Sequence, residues 1–181
     1  MISLTLTEHP EGVSTVHGHR IIYDVSANVA HFGAVELTGY SLVWHLGPKP
    51  DSPALLSIDL DLDLSKRWLV RCDRVDFPPG SIAYLHTHPG PGIRCQLFGR
   101  LTVTSAGETE TYGAMEPWFE SGPVPVYAEA SGTEPGAFVR VLILPVEWAG
   151  RRTIKYVKPE DVNKPRLQKA SVFLEEEIRL A

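Results

Sequence analysis

The stretch GSIAYLHTHPGPGIRCQLFG, residues 80–99, decides the fold and the candidate site of this chain. Two histidines, His86 and His88, lie one residue apart within a run of strand-forming residues. Because side chains alternate along a strand, the sequence predicts that both imidazoles project from the same face. Two imidazoles on one face begin a metal site, but such a site normally needs three or four protein ligands. The remaining ligands must come from elsewhere in the chain.

The composition limits the classes of function. The 181 residues are 43% hydrophobic and 22% charged, which is an ordinary balance for a globular domain. The net charge of −5 gives no basic footprint for nucleic acid. The N-terminal residues MISLTLTEHPEG do not have the pattern of a signal peptide, and no apolar run is long enough for a membrane span. With two isolated cysteines, Cys72 and Cys95, these features predict a cytoplasmic protein that contacts neither nucleic acid nor membrane.

Short strands dominate the pattern of the chain. The 15 prolines and 15 glycines are spread between β-type runs, which is typical of an antiparallel sandwich or barrel. The predicted strands lie at residues 20–25, 40–46, 54–64, 68–77, 81–88, 93–99, 100–105, 125–131 and 137–145.

The run SIDLDLDL, residues 57–64, alternates strictly between polar and apolar side chains. Its aspartates, Asp59, Asp61 and Asp63, could in principle form a metal cluster. Alternating charge on a strand is more typical of the solvated face of a half-buried sheet, and we favour that interpretation.

The C-terminal part of the chain changes character. Residues 146–170 are basic, and KPEDV at 158–162 predicts one helical turn. The tail ASVFLEEEIRLA fits a helix or a strand, and we favour a strand because its apolar residues fit a period of two and the segment is short.

The spacing around the two histidines resembles the first motif of the cupin superfamily. Five residues separate Gly80 from His86, and Gly99 closes the motif after HTHPGPGIRCQLF. This resemblance extends over about residues 75–145 and implies a double-stranded β-helix, the cupin jelly-roll barrel. In the resemblance the glutamate ligand falls on Gly92, so the metal motif is degenerate.

The second cupin motif is matched in its turns but not in its ligand. The segment beginning at Gly113 has the expected glycine and proline pattern. Its histidine position falls on Val126, or on Tyr127 if the alignment shifts by one residue. Two of the four ligands that the resemblance implies are therefore missing.

Nearby polar residues could complete the site, although a fixed positive charge on Arg94 would disfavour a cation there. If the strand from Gly92 turns the glutamate position inward, Arg94 and Gln96 also face the barrel interior. A buried guanidinium needs a partner, and we predict either Glu120 or a bound acidic ligand. Gln96 could act as a third, weak metal ligand. The alternative is that Ile93, Cys95 and Leu97 form the core face, and that Arg94 and Gln96 are solvated.

Other residues complete the predicted site. Tyr84 shares the parity of His86 and His88, and Tyr127 and Trp118 lie near the second motif, so these three are predicted to contact a ligand. The second HxH pair, His17 and His19, precedes a strand near the N-terminus and is a weaker candidate for metal binding. His31 and His45 are isolated and carry no prediction.

These observations predict a single cupin domain. Residues 1–70 would add strands to the outside, residues 71–145 would form the barrel, and residues 146–181 would pack on the barrel or on a partner.

Three functions stay open. The first is a metal-dependent oxygenase, isomerase or hydrolase acting on a small organic acid, with Zn, Fe, Mn or Ni held weakly. The second is a metal-free cupin that binds a small anion as a sensor or carrier, and the third is a non-catalytic structural domain. The resemblance also favours a homodimer.

Overall fold

The computed structural model describes residues 2–180, and nearly all of its regular structure is β. Two short 3₁₀ helices lie at Val146–Trp148 and Pro159–Asn163, and no helix within residues 2–180 is long and apolar enough to cross a membrane. The strands are β1 Ile2–His9, β2 Val13–Ser14, β3 Arg20–Asp24, β4 Val29–Phe32, β5 Glu36–Leu37, β6 Ser41–Gly47, β7 Leu56–Leu60, β8 Arg67–Phe77, β9 Ile82–Thr87, β10 Gly92–Phe98, β11 Leu101–Ser105, β12 Glu108–Tyr112, β13 Pro117–Glu120, β14 Val126–Ala130, β15 Gly136–Pro145, β16 Lys155–Tyr156 and β17 Lys169–Arg179.

Strands β8 to β15 form a jelly-roll barrel of two antiparallel sheets. One sheet has the order β13-β10-β15-β8-β17, and the other has the order β12-β11-β14-β9-β16. From β8 to β15 consecutive strands lie in opposite sheets, except for the hairpin of β11 and β12, and this is the arrangement of a jelly roll. This strand order confirms the predicted fold, the cupin jelly-roll barrel with additional N-terminal strands.

The N-terminal strands build a third sheet that covers the outside of the barrel. Its order is β4-β3-β6-β1-β7, and its inner face packs against β8, β10 and β15. Trp44 lies at the centre of this interface, fully buried, and its indole N–H donates to the carbonyl oxygen of Ile93 at 3.1 Å. Because the barrel sheet is covered on both faces, β15 is buried along nearly its whole length, which accounts for its continuous apolar run.

The C-terminal segment packs on the barrel through two strands. Strand β17 pairs with β8 over its whole length, and the two-residue strand β16 pairs with β9. The tail is therefore a strand, as predicted, and the predicted helical turn at 158–162 is the 3₁₀ helix Pro159–Asn163.

The alternating run at 57–64 is only partly a strand. Strand β7 ends at Leu60, and Leu64 lies exposed in the following turn. The aspartates make local contacts: Asp59 accepts a hydrogen bond from Ser3, and Asp63 accepts from Ser65 and pairs with Lys66. They do not gather into a cluster, because β7 is an edge strand whose polar face is solvated.

Candidate functional site

A cavity of about 690 Å³ lies between the two barrel sheets. Its volume is in the range of small-molecule binding sites. The inner part is apolar and has aromatic side chains from three strands, while the part nearer the C-terminal segment is strongly polar. The apolar lining residues are Val75, Phe77, Ala83, Leu101, Val103, Trp118, Val126, Ala128 and Phe138.

His86 and His88 both point into this cavity, as their spacing predicts. Their rings lie edge to face with centroids 4.9 Å apart, and both residues are only 6% exposed. The Nδ1 of His86 lies 2.7 Å from the carbonyl oxygen of Tyr84, and the Nδ1 of His88 lies 3.0 Å from that of Thr153. Since a carbonyl can only accept, each Nδ1 carries the proton and each Nε2 keeps a free lone pair.

Two glycines bring the loop after His88 onto β15. A Cβ atom on Gly90 would lie 2.0 Å from the carbonyl oxygen of Ile143, and one on Gly92 would lie 2.4 Å from that of Val141. Any side chain at these positions would force the backbone apart. The glutamate position of the resemblance is therefore occupied by a residue that has no room for a side chain.

A carboxylate does lie beside Gly92, but Glu120 on the neighbouring strand supplies it. Gly92 on β10 lies directly opposite Glu120 on β13. One carboxylate oxygen of Glu120 accepts from the indole N–H of Trp118 at 2.9 Å, and the other lies 2.6 Å from Nη2 of Arg94 and 3.7 Å from Nε2 of His88. The carboxylate beside His88 is therefore that of Glu120, on the strand next to Gly92.

Arg94 is completely buried inside the barrel. Its Nη1 donates to the carbonyl oxygen of Gly92 at 2.7 Å, and its Nη2 contacts Glu120. Burial lowers the pKa of Arg94 to about 10, so the guanidinium stays charged at neutral pH. The predicted pairing of Arg94 with Glu120 is confirmed, and the alternative of a solvated Arg94 is wrong, because Ile93 and Cys95 face the N-terminal sheet instead.

Two further ion pairs lie along the polar side of the cavity. Arg140 donates to Asp73 through two hydrogen bonds of 2.7 and 3.2 Å. Arg71 pairs with Glu175 of β17 and also donates to the carbonyl oxygens of Trp148 and Arg151, each at 2.8 Å. Within the cavity, therefore, each arginine that is deeply buried is matched by a carboxylate.

Of the three aromatic residues predicted to contact a ligand, Trp118 lines the cavity, whereas Tyr84 and Tyr127 do not. A β-bulge between the paired positions Val126–His86 and Ala128–Ala83 changes the parity of β9, so that Ala83, His86 and His88 line the cavity and Tyr84 does not. The ring of Tyr84 instead lies under the ammonium of Lys164. Tyr127 points away because Val126 and Ala128 take the inward positions of β14.

The residues present do not fit a metal ion. No group of three or more histidine, cysteine, aspartate or glutamate side chains in residues 2–180 is placed to hold one. Of the two residues on which the second-motif histidine position can fall, Val126 lines the cavity and Tyr127 does not, and neither supplies an imidazole. Gln96 is buried on the barrel side of β10, but it does not line the cavity, and its side-chain amide donates to the carbonyl oxygen of Phe98 at 2.8 Å. With Arg94 and Arg140 near the imidazoles, a cation would also meet fixed positive charge.

Several cavity residues escaped the sequence analysis. Arg71 and Asp73 precede Val75 and Phe77 at a period of two along β8, and this pattern places all four on the inner face. Arg140 interrupts an otherwise apolar strand. Both features were visible in the sequence, but their partners lie on strands far along the chain.

The mouth of the cavity is basic. The C-terminal segment contributes four cationic side chains to the lining: Arg151, Arg152, Arg166 and Lys169. None of these four makes an ion pair with a carboxylate in the described part of the chain.

The two buried histidines should make stability fall at acidic pH. Burial lowers the pKa of His86 below 6.5, and burial with the charges of Arg140 and Arg94 lowers that of His88 further. The unfolded chain therefore binds more protons than the folded chain below about pH 6.5, so this contribution to stability is complete above that pH and is lost as the pH falls.

Urea denaturation between pH 5 and pH 8 measures this effect. We expect His88→Asn to flatten the decline, while His17→Asn, at an exposed histidine, should leave it unchanged. An equally steep decline in the His88 variant would contradict the assignment.

Comparison with known proteins gives no match to a family model or to a curated protein. Among solved structures, the chain is similar to an RmlC-like cupin from Shewanella frigidimarina, with 18% identity over 41% of this chain and 65% of that chain and a TM-score of 0.38. It is also similar to an oxalate oxidase, with 22% identity over 44% of this chain and 47% of that one and a TM-score of 0.38. A polyketide cyclase from Streptomyces resistomycificus gives 18% identity over 51% and 62% of the two chains and a TM-score of 0.40.

The chain covers less than two thirds of the length of each of these three proteins. At these identities and TM-scores, the similarities carry nothing about activity. The fold is established by the strand order of the barrel itself.

Proposed function

We propose that this chain, which has the cupin jelly-roll fold, binds a small organic anion with an apolar body inside its barrel and does so without a metal ion. The observation that carries this proposal is the charge of the cavity. Six basic and three acidic side chains line it, although the whole chain has a net charge of −5. An acidic protein with a locally basic cavity is suited to attract an anion.

The distribution of these charges indicates where the anionic group would bind. Asp73 and Glu175 are neutralised by the cavity arginines Arg140 and Arg71, and Glu120 is neutralised by Arg94. The excess positive charge therefore resides at the mouth, on the four basic residues of the C-terminal segment. A carboxylate or phosphate at the mouth would meet Arg151 and Arg152, whose planar guanidinium groups suit such anions.

The side chains that line the inner part of the cavity indicate the chemistry of the rest of the ligand. The rings of Phe77, Trp118 and Phe138 form an apolar wall that favours a hydrocarbon or aromatic body. The free Nε2 atoms of His86 and His88 accept hydrogen bonds, so a hydroxyl group on the ligand is the matching donor. An amphipathic hydroxy acid satisfies all three regions.

The other two functions have less support. A metal-dependent reaction lacks a third ligand beside the two imidazoles. A purely structural role gives no reason for a cavity of this volume with buried, paired charges, because such charges are costly to retain in a core.

Calorimetric titration tests the proposal directly. The panel consists of aromatic and aliphatic hydroxy acids, each compared with its neutral amide, and the protein is prepared without an affinity tag. We expect the acids to bind and the amides to bind at least about tenfold more weakly. The double variant Arg151→Ala/Arg152→Ala should bind the acids about tenfold more weakly than the native chain does. This difference in affinity between the native chain and the variant should shrink as salt is added.

The matched control is Arg100→Ala, which removes an exposed arginine that does not line the cavity. It should leave the affinity unchanged. Equal affinity for acids and amides, or equal losses in the two arginine variants, would contradict the proposal.

A further inference from the structure

A short segment with little regular structure forms part of the wall at the mouth of the cavity. We call it the strap and define it as residues 148–157, which include the end of the first 3₁₀ helix and the two-residue strand β16. Six of these ten residues line the cavity: Gly150, Arg151, Arg152, Thr153, Ile154 and Tyr156. The attachment of the strap to the barrel therefore controls the shape of the mouth.

The first half of the strap is held by Arg71 and its partner Glu175. Arg71 lies on β8 and is only 3% exposed, and its Nη1 and Nη2 donate to the carbonyl oxygens of Arg151 and Trp148, each at 2.8 Å. Its Nε donates to Glu175 at 2.5 Å, and this carboxylate also accepts from the backbone N–H of Gly150 at 3.0 Å. Side chains of the barrel sheet, rather than pairing with a strand, therefore fix this half of the strap.

The second half of the strap is held at three places. Nδ1 of His88 donates to the carbonyl oxygen of Thr153 at 3.0 Å, β16 pairs with β9 over two residues, and the N–H of Val157 donates to the carbonyl oxygen of Leu85 at 2.9 Å. By contrast, β15 pairs with β8 along its whole length and with β10 over most of it. Opening the strap breaks few hydrogen bonds, and segments with few attachments open at a lower free energy than core strands do.

Positive charge at the mouth opposes closure of the strap. Arg151 and Arg152 belong to the strap, and Arg166 and Lys169 line the same cavity. The guanidinium of Arg166 lies over the ring of Tyr156, 5.0 Å from its centroid, so the strap and the following segment are in contact. Like charges repel, and an anion bound between them replaces this repulsion by attraction. A bound anion therefore favours the closed position of the strap over the open one.

We infer that the strap opens independently of the barrel, that Arg71 and His88 latch it from inside the cavity, and that a bound anion holds it closed. The last part rests on the proposed function, because it needs an anion at the mouth. The latch rests only on the contacts of Arg71 and His88, two residues that also line the cavity.

Hydrogen exchange of the whole chain at neutral pH, followed by mass spectrometry, tests this inference. In the native chain, we expect peptides from the strap to exchange at least about tenfold faster than peptides from β15. Arg71→Met removes two hydrogen bonds to the strap and should speed exchange there by a further factor of about ten, without speeding exchange in β15. His88→Phe keeps a ring and removes the bond to Thr153, so it should speed exchange of residues 152–157 by about fivefold.

The matched control is Arg67→Met. Arg67 also lies on β8 and pairs with a carboxylate of β17, that of Glu177, but it makes no hydrogen bond to the strap in the described part of the chain. Its removal should leave exchange in the strap unchanged. Equal exchange of the strap and β15 in the native chain, a comparison that does not depend on how well Arg71→Met folds, would overturn the inference. Equal acceleration of the strap by Arg67→Met and Arg71→Met, or acceleration of β15 together with the strap in both Arg71→Met and His88→Phe, would also overturn it.

The effect of an anion is measured with 2-hydroxybenzoate, and its neutral amide is the control. Exchange in the strap should slow by at least about fivefold at a saturating concentration of the acid, and the same concentration of the amide should not slow it. The variant Arg151→Ala/Arg152→Ala should abolish the slowing. If calorimetry shows binding of an acid that leaves exchange in the strap unchanged, closure on the anion is wrong and the proposed function stands. If none of the hydroxy acids binds, the proposed function and closure on the anion both fail, whereas the latch is still decided by Arg71→Met and His88→Phe.

Discussion

Replacing Glu120 with alanine should lower the free energy of unfolding by about 3–5 kcal/mol. The variant leaves the completely buried guanidinium of Arg94 without the carboxylate that lies 2.6 Å from it. Because Arg94 cannot lose its proton at neutral pH and is held by the carbonyl oxygen of Gly92, the charge stays in the barrel uncompensated. Urea denaturation followed by tryptophan fluorescence measures the loss.

A double-mutant cycle separates the interaction energy of the Arg94–Glu120 pair from the packing energy that is lost when the side chain of Glu120 is removed. In the background of Arg94→Met there is no buried charge to leave unpaired, so Glu120→Ala should cost far less there than in the native chain. Replacing both partners with apolar residues is often nearly neutral, whereas removing one is not. Additive losses in the cycle would show that Arg94 and Glu120 are not coupled.

Replacing Trp44 with alanine should cost about 3–5 kcal/mol. The side chain is fully buried between the N-terminal sheet and the barrel, and its indole N–H bonds to the carbonyl oxygen of Ile93. The variant creates a large cavity there and removes the hydrogen bond from the indole to the carbonyl oxygen of Ile93. Thermal and urea denaturation should both report the loss.

The same experiment shows whether the N-terminal sheet and the barrel unfold together. We propose that they form one cooperative unit, because they share one continuous core. The native chain and Trp44→Ala should each unfold in a single transition that is the same by fluorescence and by circular dichroism. The control, Trp68→Ala, removes a partly exposed indole on the same cluster and should cost less. Two separate transitions would contradict a shared core.

The strand pattern predicted most of the fold because half-buried strands have a period of two. Nine predicted strands correspond to observed ones, but β1 was missed, although Leu4 and Leu6 alternate there with threonines. Strand β13 has only four residues and begins with a proline, so it gives almost no periodic signal. Short strands of this kind are defined by their neighbours rather than by their own sequence.

The candidate site was predictable where the alternation of side chains along a strand is enough to decide which residues face the barrel interior. His86, His88 and Arg94 face the barrel as their spacing in β9 and β10 predicts. Tyr84 does not face the cavity, because one β-bulge reverses the alternation of side chains along β9. The pair between Arg140 and Asp73 could not be predicted, because the strands that hold them are distant in sequence and their register is set by the fold. The homodimer and the cytoplasmic location stay predictions.

The position of β17 makes the completeness of the cavity depend on a segment that is distant in sequence from β8. Strand β8 is made before β9 to β15, but its Arg71 finds its carboxylate, Glu175, 104 residues later. A chain shortened to end at β15 would keep β8 to β15, but it would lack the C-terminal residues that line the cavity and the carboxylate of Glu175 that pairs with Arg71. Strand β17 therefore both covers the edge of β8 and supplies the carboxylate that pairs with Arg71. The C-terminal segment is thus part of the cavity wall rather than an appendage to the barrel.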